Sequence, residues 1–340
     1  MGKYFSDTKA VLLRKPSNLF YFSDFKNEDA FILFIGKEKY YFTDTRYFED
    51  ANKKLSDFTV KDIAELSDFI RQNALTDLWI ESDLSHDFCT RLESEYGVKK
   101  FFSIDSEIQS LRAIKTPQEI EYIKKAQEIT DKTFHDLLPI IHEGITETEL
   151  AGTLESLLYV NGADDLAFTS IVAFNENSSM PHAIRTEKKL ENHSVITLDF
   201  GAKYHNYCSD MTRTVFFGNP SEEYKKTYNT VLTAQDMVLS IAFPGITGKE
   251  CDTIARKFFE EFGLSKYFIH SLGHGVGIDI HEYPSLSQKC NVPLQQDMVV
   301  TVEPGLYFEK EFGIRIEDMI IFHKTGVINL TKSPKNMIIL

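Results

Sequence analysis

Two hydrophobic rhythms divide the chain. Up to about residue 110, short apolar runs are broken by turns. Phe31-Ile-Leu-Phe-Ile35 and Lys39-Tyr-Tyr-Phe-Thr43 flank Gly36-Lys37-Glu38 and predict a hairpin, and Thr76-Asp-Leu-Trp-Ile80 and Val98-Lys-Lys-Phe-Phe102 predict further strands. Asp62 to Gln72 carries helical spacing. From Thr116 onward the period lengthens. Thr116 can cap a helix, Pro117 suits its first position and Glu119 can complete a capping box, after which Ile120, Ile123, Gln127, Thr130, Phe134 and Leu137 share one face. Thr146 and Glu149 predict a second capping box and a helix through Leu157. Ser221 opens a long helix bearing Tyr224, Tyr228, Val231, Val238 and Leu239, and Pro244-Gly245-Ile246-Thr247-Gly248-Lys249-Glu250 opens another.

The pattern in this second region occurs twice. Gly-Ile-Thr-x-x-Glu starts at Gly144 and again at Gly245, 101 positions on. Val195-Ile-Thr-Leu-Asp199-Phe-Gly201 is echoed by Val299-Val-Thr-Val-Glu303-Pro-Gly305, each placing a carboxylate where an apolar run meets a glycine. A second acid follows each on a new apolar run: Asp210 in Cys208-Ser-Asp-Met-Thr212 and Glu317 in Ile314-Arg-Ile-Glu-Asp-Met319. Each half therefore reads helix, helix, strands, carboxylate pair. The period is too long for a solenoid and predicts a duplicated half-domain with pseudo-twofold symmetry, its halves sharing one sheet. An acid at a strand end is often only an edge or turn residue facing water. Four of them in apolar surroundings would leave costly unpaired charge, which implies a compensating cation.

Composition sets limits on this picture. A chain of 340 residues with 42% apolar content fits two domains, here 1–110 as a small α/β domain and 111–340 as a larger one. A net charge of -14 argues against binding a nucleic-acid backbone. No stretch approaches the roughly 20 apolar residues of a membrane span, and the start lacks a signal-peptide core. Cys89, Cys208, Cys251 and Cys290 show no zinc-finger spacing, so a reducing, cytoplasmic compartment is expected. Met1-Gly2 with Ser6 fits the minimal myristoylation pattern, but no basic cluster follows and lipidation is not expected. Asp44-Thr-Arg-Tyr47 could line a cleft, although turn and surface chemistry is the commoner use of such a group.

Candidate chemistry concentrates in Ile269-His270-Ser-Leu-Gly273-His274-Gly275-Val-Gly277-Ile-Asp-Ile-His281-Glu282. It is neither a phosphate loop nor a zincin helix, and its glycines let the backbone pass close to something. His182 lies 99 residues before His281, so the duplication pairs them across the pseudo-twofold axis. Asp199, Asp210, Glu303, Glu317 and His274 offer hard oxygens and one borderline nitrogen. That set suits two divalent cations such as Mn2+ and tolerates Co2+, Fe2+ or Zn2+. Two such ions could share a water and leave it as hydroxide at neutral pH. His274 has no matching ligand in the first half, which predicts unequal coordination of the two ions.

The motifs LDFG, SDMTR, GHGVG, VEPG and RIED, in this order, resemble those of the pita-bread metallopeptidases, the fold shared by methionine aminopeptidase, aminopeptidase P, prolidase and creatinase. The resemblance covers about residues 111 to 340. It implies an α+β protein: a C-terminal pita-bread domain with pseudo-twofold halves, preceded by a smaller creatinase-type α/β domain. By resemblance Asp199, Asp210, His274, Glu303 and Glu317 are the metal ligands. His182 and His281 would steady the tetrahedral intermediate, His270 would line the proline side of the pocket, and Arg315 would buttress Glu317. Glu303 would also shuttle the proton to the leaving nitrogen. The creatinase-type domain favours the proline-specific enzymes, and the resemblance implies a homodimer. The expected activity is removal of the N-terminal residue from Xaa-Pro peptides, with Xaa-Pro dipeptidase as the alternative and a metal-silent peptide-binding module as a remote one.

Overall fold

A computed structural model describes Phe5 and residues 9–340; the Met1, Gly2 and Ser6 pattern lies outside them. The chain divides into two compact units, Met1–Arg112 and Ala113–Leu340.

The first unit is built on six strands, β1 (Ala10–Leu13), β2 (Ala30–Ile35), β3 (Glu38–Thr43), β4 (Thr59–Asp62), β5 (Asp77–Ile80) and β6 (Lys100–Ser103), in the order β4-β3-β2-β1-β5-β6. Helices α1 (Pro16–Ser23), α2 (Phe48–Lys54), α3 (Leu66–Gln72), α4 (His86–Tyr96) and α5 (Asp105–Ala113) accompany it. The predicted hairpin forms, with Ala30 opposite Thr43 and Ile35 opposite Glu38. Its strands are apolar at nearly every position because both sheet faces are covered: Val11, Ile32 and Phe34 enter one cluster, Leu12, Leu33 and Phe42 another. The helix expected from Asp62 begins later. Asp62 ends β4, and its carboxylate accepts from the Ala64 amide to cap a single 3-10 turn, so the α-helix starts only at Leu66. The Asp44–Tyr47 group is surface chemistry: exposed Arg46 pairs with Asp44 and Asp29.

The second unit repeats one plan. Its first half contains α6 (Pro117–Leu137), α7 (Glu147–Val160), β7 (Asp165–Leu166), β8 (Ile171–Phe174), β9 (Ser194–Phe200), β10 (Ala202–Tyr204), β11 (Tyr207–Cys208) and β12 (Met211–Phe217). The second contains α8 (Glu222–Ile241), α9 (Gly248–Glu261), β13 (Gly273–Gly275), β14 (Glu282–Leu286), β15 (Val299–Val302), β16 (Gly305–Phe308), β17 (Phe312–Arg315), β18 (Asp318–His323) and β19 (Gly326–Asn329). Full capping boxes start α6 at Thr116, α7 at Thr146 and α9 at Thr247, and Ser221 caps α8. In each half three antiparallel strands carry the pattern, β8-β9-β12 and β13-β15-β18. Between the outer two acids each half inserts a hairpin, β10-β11 or β16-β17.

The expectation of one shared sheet is corrected. The halves keep separate sheets, β12-β9-β8 and β14-β13-β15-β18-β19, and β16-β17 forms a two-stranded ladder of its own. They are stitched side by side instead: the Glu317 amide donates to Thr212 O, and Thr214 exchanges hydrogen bonds with the Arg315 backbone. That seam brings the two acid pairs together.

Candidate metal centre

Both pairs lie at strand ends facing the seam. Asp199 sits near the end of β9, opposite Thr212, and Asp210 immediately precedes β12. Glu303 follows β15, and Glu317 precedes β18, where Val302 pairs with Asp318. His274 is on β13, and β8, its counterpart in the first half, sends Ile171 to the wall of the same cavity. The cavity, about 690 Å³, is lined by all nine residues singled out in the sequence: His182, Asp199, Asp210, His270, His274, His281, Glu303, Arg315 and Glu317. That volume suits a small peptide. Asp210 and Glu317 are buried at its base, whereas His182 and His281 are exposed at its rim.

The electrostatics suit a cation. One ligand atom each of Asp210, His274 and Glu317 lie within 4.8 Å of one another. His274 Nε2 is 3.5 Å from Asp210 Oδ2 and 3.3 Å from Glu303 Oε1. Desolvation, with His281 adding, pushes the His274 pKa down to about 4, so this ring is neutral and forms no ion pair at pH 7. Its Nδ1 lies 3.1 Å from Gly275 O, a carbonyl that only an N–H can satisfy, which leaves the Nε2 lone pair facing carboxylate oxygens. Acceptors facing acceptors repel unless a proton or cation lies between them. Burial pushes Asp210 and Glu317 well above the ordinary carboxylate range, with neighbouring acids adding to it. Burial also raises Glu303 to about 8, against the pull of Arg315. Asp199 Oδ1 is buried without a hydrogen-bond partner among the described residues. Four hard oxygen donors, one oriented imidazole nitrogen and no thiolate fit a pair of divalent cations.

A network behind the acids fixes their geometry. The Arg315 guanidinium donates to Asp199 Oδ2 at 2.6 Å, Thr212 Oγ1 at 2.9 Å, Tyr307 Oη at 2.6 Å and Pro181 O at 3.2 Å. Its direct carboxylate partner is thus Asp199 and not Glu317, which it reaches only through Thr212, whose hydroxyl donates to Glu317 Oε2 at 2.7 Å. Arg315, the last residue of β17, thus reaches across the seam to Asp199 on β9. Because Arg315 donates to Tyr307, the Tyr307 hydroxyl proton is available to His270 Nε2 at 2.9 Å, and His270 Nδ1–H donates to Ser271 O. His270 is held neutral, its pKa pushed down to about 3 by desolvation and then by Arg315.

Sequence reasoning missed several supporting residues. Arg213, 1% exposed, donates to Glu317 O and Thr212 O and pairs with Asp318 at 2.8 Å, holding the backbone that presents Glu317. Thr301 Oγ1 accepts from the His274 amide and donates to Glu303 Oε1. Glu147, fully buried, accepts from the amides of Phe174 and Thr186, the Thr186 hydroxyl and Asn177 Nδ2, each at 2.7–2.8 Å. It ties down both ends of the segment that carries His182.

Comparison with known proteins adds independent findings. Residues 121–324 match the model of metallopeptidase family M24, and residues 6–114 that of the creatinase/prolidase N-terminal domain. An Xaa-Pro dipeptidase of Pyrococcus furiosus is 38% identical over 331 residues, covering 96% of this chain and 94% of that protein. The crystal structure of the prolidase from Pyrococcus horikoshii superposes with a TM-score of 0.93 at 38% identity, over 97% of this chain and 96% of that one. An X-Pro aminopeptidase from Thermotoga maritima gives a TM-score of 0.91 at 37% identity, over 98% and 96%.

Proposed function

We propose, from the premise that this chain belongs to metallopeptidase family M24 and to its pita-bread, prolidase and aminopeptidase P branch, that it is an Xaa-Pro dipeptidase. The observation that carries the proposal is the convergence of Asp199, Asp210, His274, Glu303 and Glu317 in one cavity with room for a small peptide. The sequence favoured release of an N-terminal residue from longer Xaa-Pro peptides. The dipeptidase and prolidase relatives at 38% identity over nearly full length favour the dipeptide instead. The aminopeptidase reading stays as the second, supported by the Thermotoga maritima structure.

In this reading the five residues hold two divalent ions, with manganese our first expectation. When bound, the ions supply Lewis acidity and ease deprotonation of the attacking water. The remaining chemistry belongs to side chains of this chain. Glu303, at the cavity beside His274 Nε2, is placed to take a proton and pass it to the leaving proline nitrogen. His182 and His281 at the rim donate N–H groups to the developing oxyanion. Burial holds His281 below its usual pKa, so it acts as a neutral donor. His270, kept neutral by desolvation and by the charge of Arg315, lines the proline side. No helix among the described residues is long and apolar enough to cross a membrane.

The test is an assay of an Xaa-Pro dipeptide against an Xaa-Pro tripeptide with divalent metal supplied. Preference for the dipeptide is expected. Preference for the tripeptide would replace this reading with the aminopeptidase one, and cleavage of neither sinks both.

A further inference from the structure

A free dipeptide carries a carboxylate on the proline Cα, the carbon bonded to the scissile nitrogen, and a site that prefers dipeptides needs a group to read that charge. Among the described residues lining the cavity there are two guanidinium groups, Arg185 and Arg315. Arg315 is buried, and its donors are committed to Asp199, Thr212, Tyr307 and Pro181. Arg185 is different. Its Nη1 donates to Glu155 at 2.8 Å, while its Nε and Nη2 have no hydrogen-bond partner among the described residues. The Nε–Nη2 edge is one of the two edges on which a guanidinium takes a carboxylate in bidentate fashion.

We propose that Arg185 recognises the C-terminal carboxylate of the substrate and so sets the preference for dipeptides; this rests on the dipeptidase reading above. The ion pair with Glu155, whose partners are 34% and 19% exposed, adds little to stability and instead holds the guanidinium in one orientation. The backbone around it is fixed with unusual care. Asn177 Nδ2 donates to Ile184 O on one side of Arg185, and on the other the Thr186 amide and hydroxyl donate to buried Glu147, which also accepts from Asn177. Pro181 to Arg185 form one wall of the cavity, so His182 and Arg185 are presented from the same pinned segment, three residues apart. A group meeting the tetrahedral centre and a group meeting the proline carboxylate are thereby kept in fixed relation. A longer peptide has an amide in place of that carboxylate and gains nothing from the guanidinium.

The experiment compares kcat/KM for an Xaa-Pro dipeptide, its C-terminal amide and an Xaa-Pro tripeptide in the metal-supplied full chain, in wild type, Arg185→Gln and Arg185→Lys. Expected is a fall of the dipeptide-to-amide ratio by roughly 10- to 100-fold in Arg185→Gln, carried by KM, with Arg185→Lys intermediate because it keeps the charge but not the fork. The ratio is taken within each protein, so a folding defect does not imitate the effect. A wild type that prefers the dipeptide while Arg185→Gln leaves the ratio unchanged overturns the role of Arg185 and leaves the dipeptidase reading standing. A wild type that prefers the tripeptide, or cleaves none of the three, overturns both.

Discussion

Withholding metal should make this protein lose stability as pH rises. Glu303 has a folded-state pKa of about 8 against an ordinary 4.5, so the folded chain binds its proton more tightly than the unfolded chain does. The stability from that proton is fully present below about pH 4.5 and is lost as pH rises through 8. His270, near 3, and His274, near 4, work in the opposite sense: each is depressed from 6.5, and each removes stability as pH falls below 6.5. Between pH 6.5 and 8 the carboxylates act alone. Over that window Glu303 contributes a loss on the order of 2 kcal/mol, from about 1.4 kcal/mol per pKa unit. Asp210 and Glu317, raised by the same burial, act in the same direction. At roughly 2–4 °C per kcal/mol for a domain of this size, the chelated protein should melt roughly 4–8 °C lower at pH 8 than at pH 6.5. Bound manganese keeps the acids ionised and removes the slope, so the stabilisation it confers should grow with pH. Differential scanning calorimetry of chelated and manganese-loaded protein at four pH values measures this. Chelated Glu303→Gln should show a shallower slope, since its amide does not titrate. A melting temperature of the chelated wild type that is flat or rising across the window refutes the reasoning.

Two further substitutions probe the scaffold. Glu147→Ala strips partners from the Phe174 and Thr186 amides, the Thr186 hydroxyl and Asn177, and urea unfolding should show a loss on the order of 3 kcal/mol; a loss below about 1 kcal/mol would mean that water replaces the carboxylate. Gly273→Ala would place a Cβ 2.1 Å from Thr301 O, forcing β13 away from β15 and carrying His274 with it. Both the melting temperature and the retained metal should fall, and a variant that keeps its full metal content contradicts the assigned register.

What could be read in advance was whatever depends on local chemistry or on repetition. Threonine three residues ahead of glutamate marked the starts of α6, α7 and α9, and each box forms. The echo of Val195–Gly201 in Val299–Gly305 led to the paired strands and to the acids between them, all of which reach one cavity. The unseen part depends on contacts between distant segments. Tyr307 and Thr212 look like ordinary strand residues, and only the seam between the sheets makes them the links from Arg315 to His270 and Glu317. Helix α1, with its run Leu19-Phe20-Tyr21-Phe22, carries no clear polar face and gave no periodic signal. Glu147 was hidden by the capping box around it, yet the repeat held a clue. Its counterpart after the second box is Gly248, where any Cβ would lie 2.2 Å from Ser285 O. The helix start of each half therefore abuts the segment bearing its rim histidine, by a buried carboxylate in one and by close backbone approach in the other.

The most direct measurement is hydrolysis of an Xaa-Pro dipeptide as chelated protein is titrated with manganese. The account predicts no turnover without metal, and turnover that appears on addition and saturates at about two equivalents per chain. Full turnover in excess chelator, or none at any metal concentration, would contradict it.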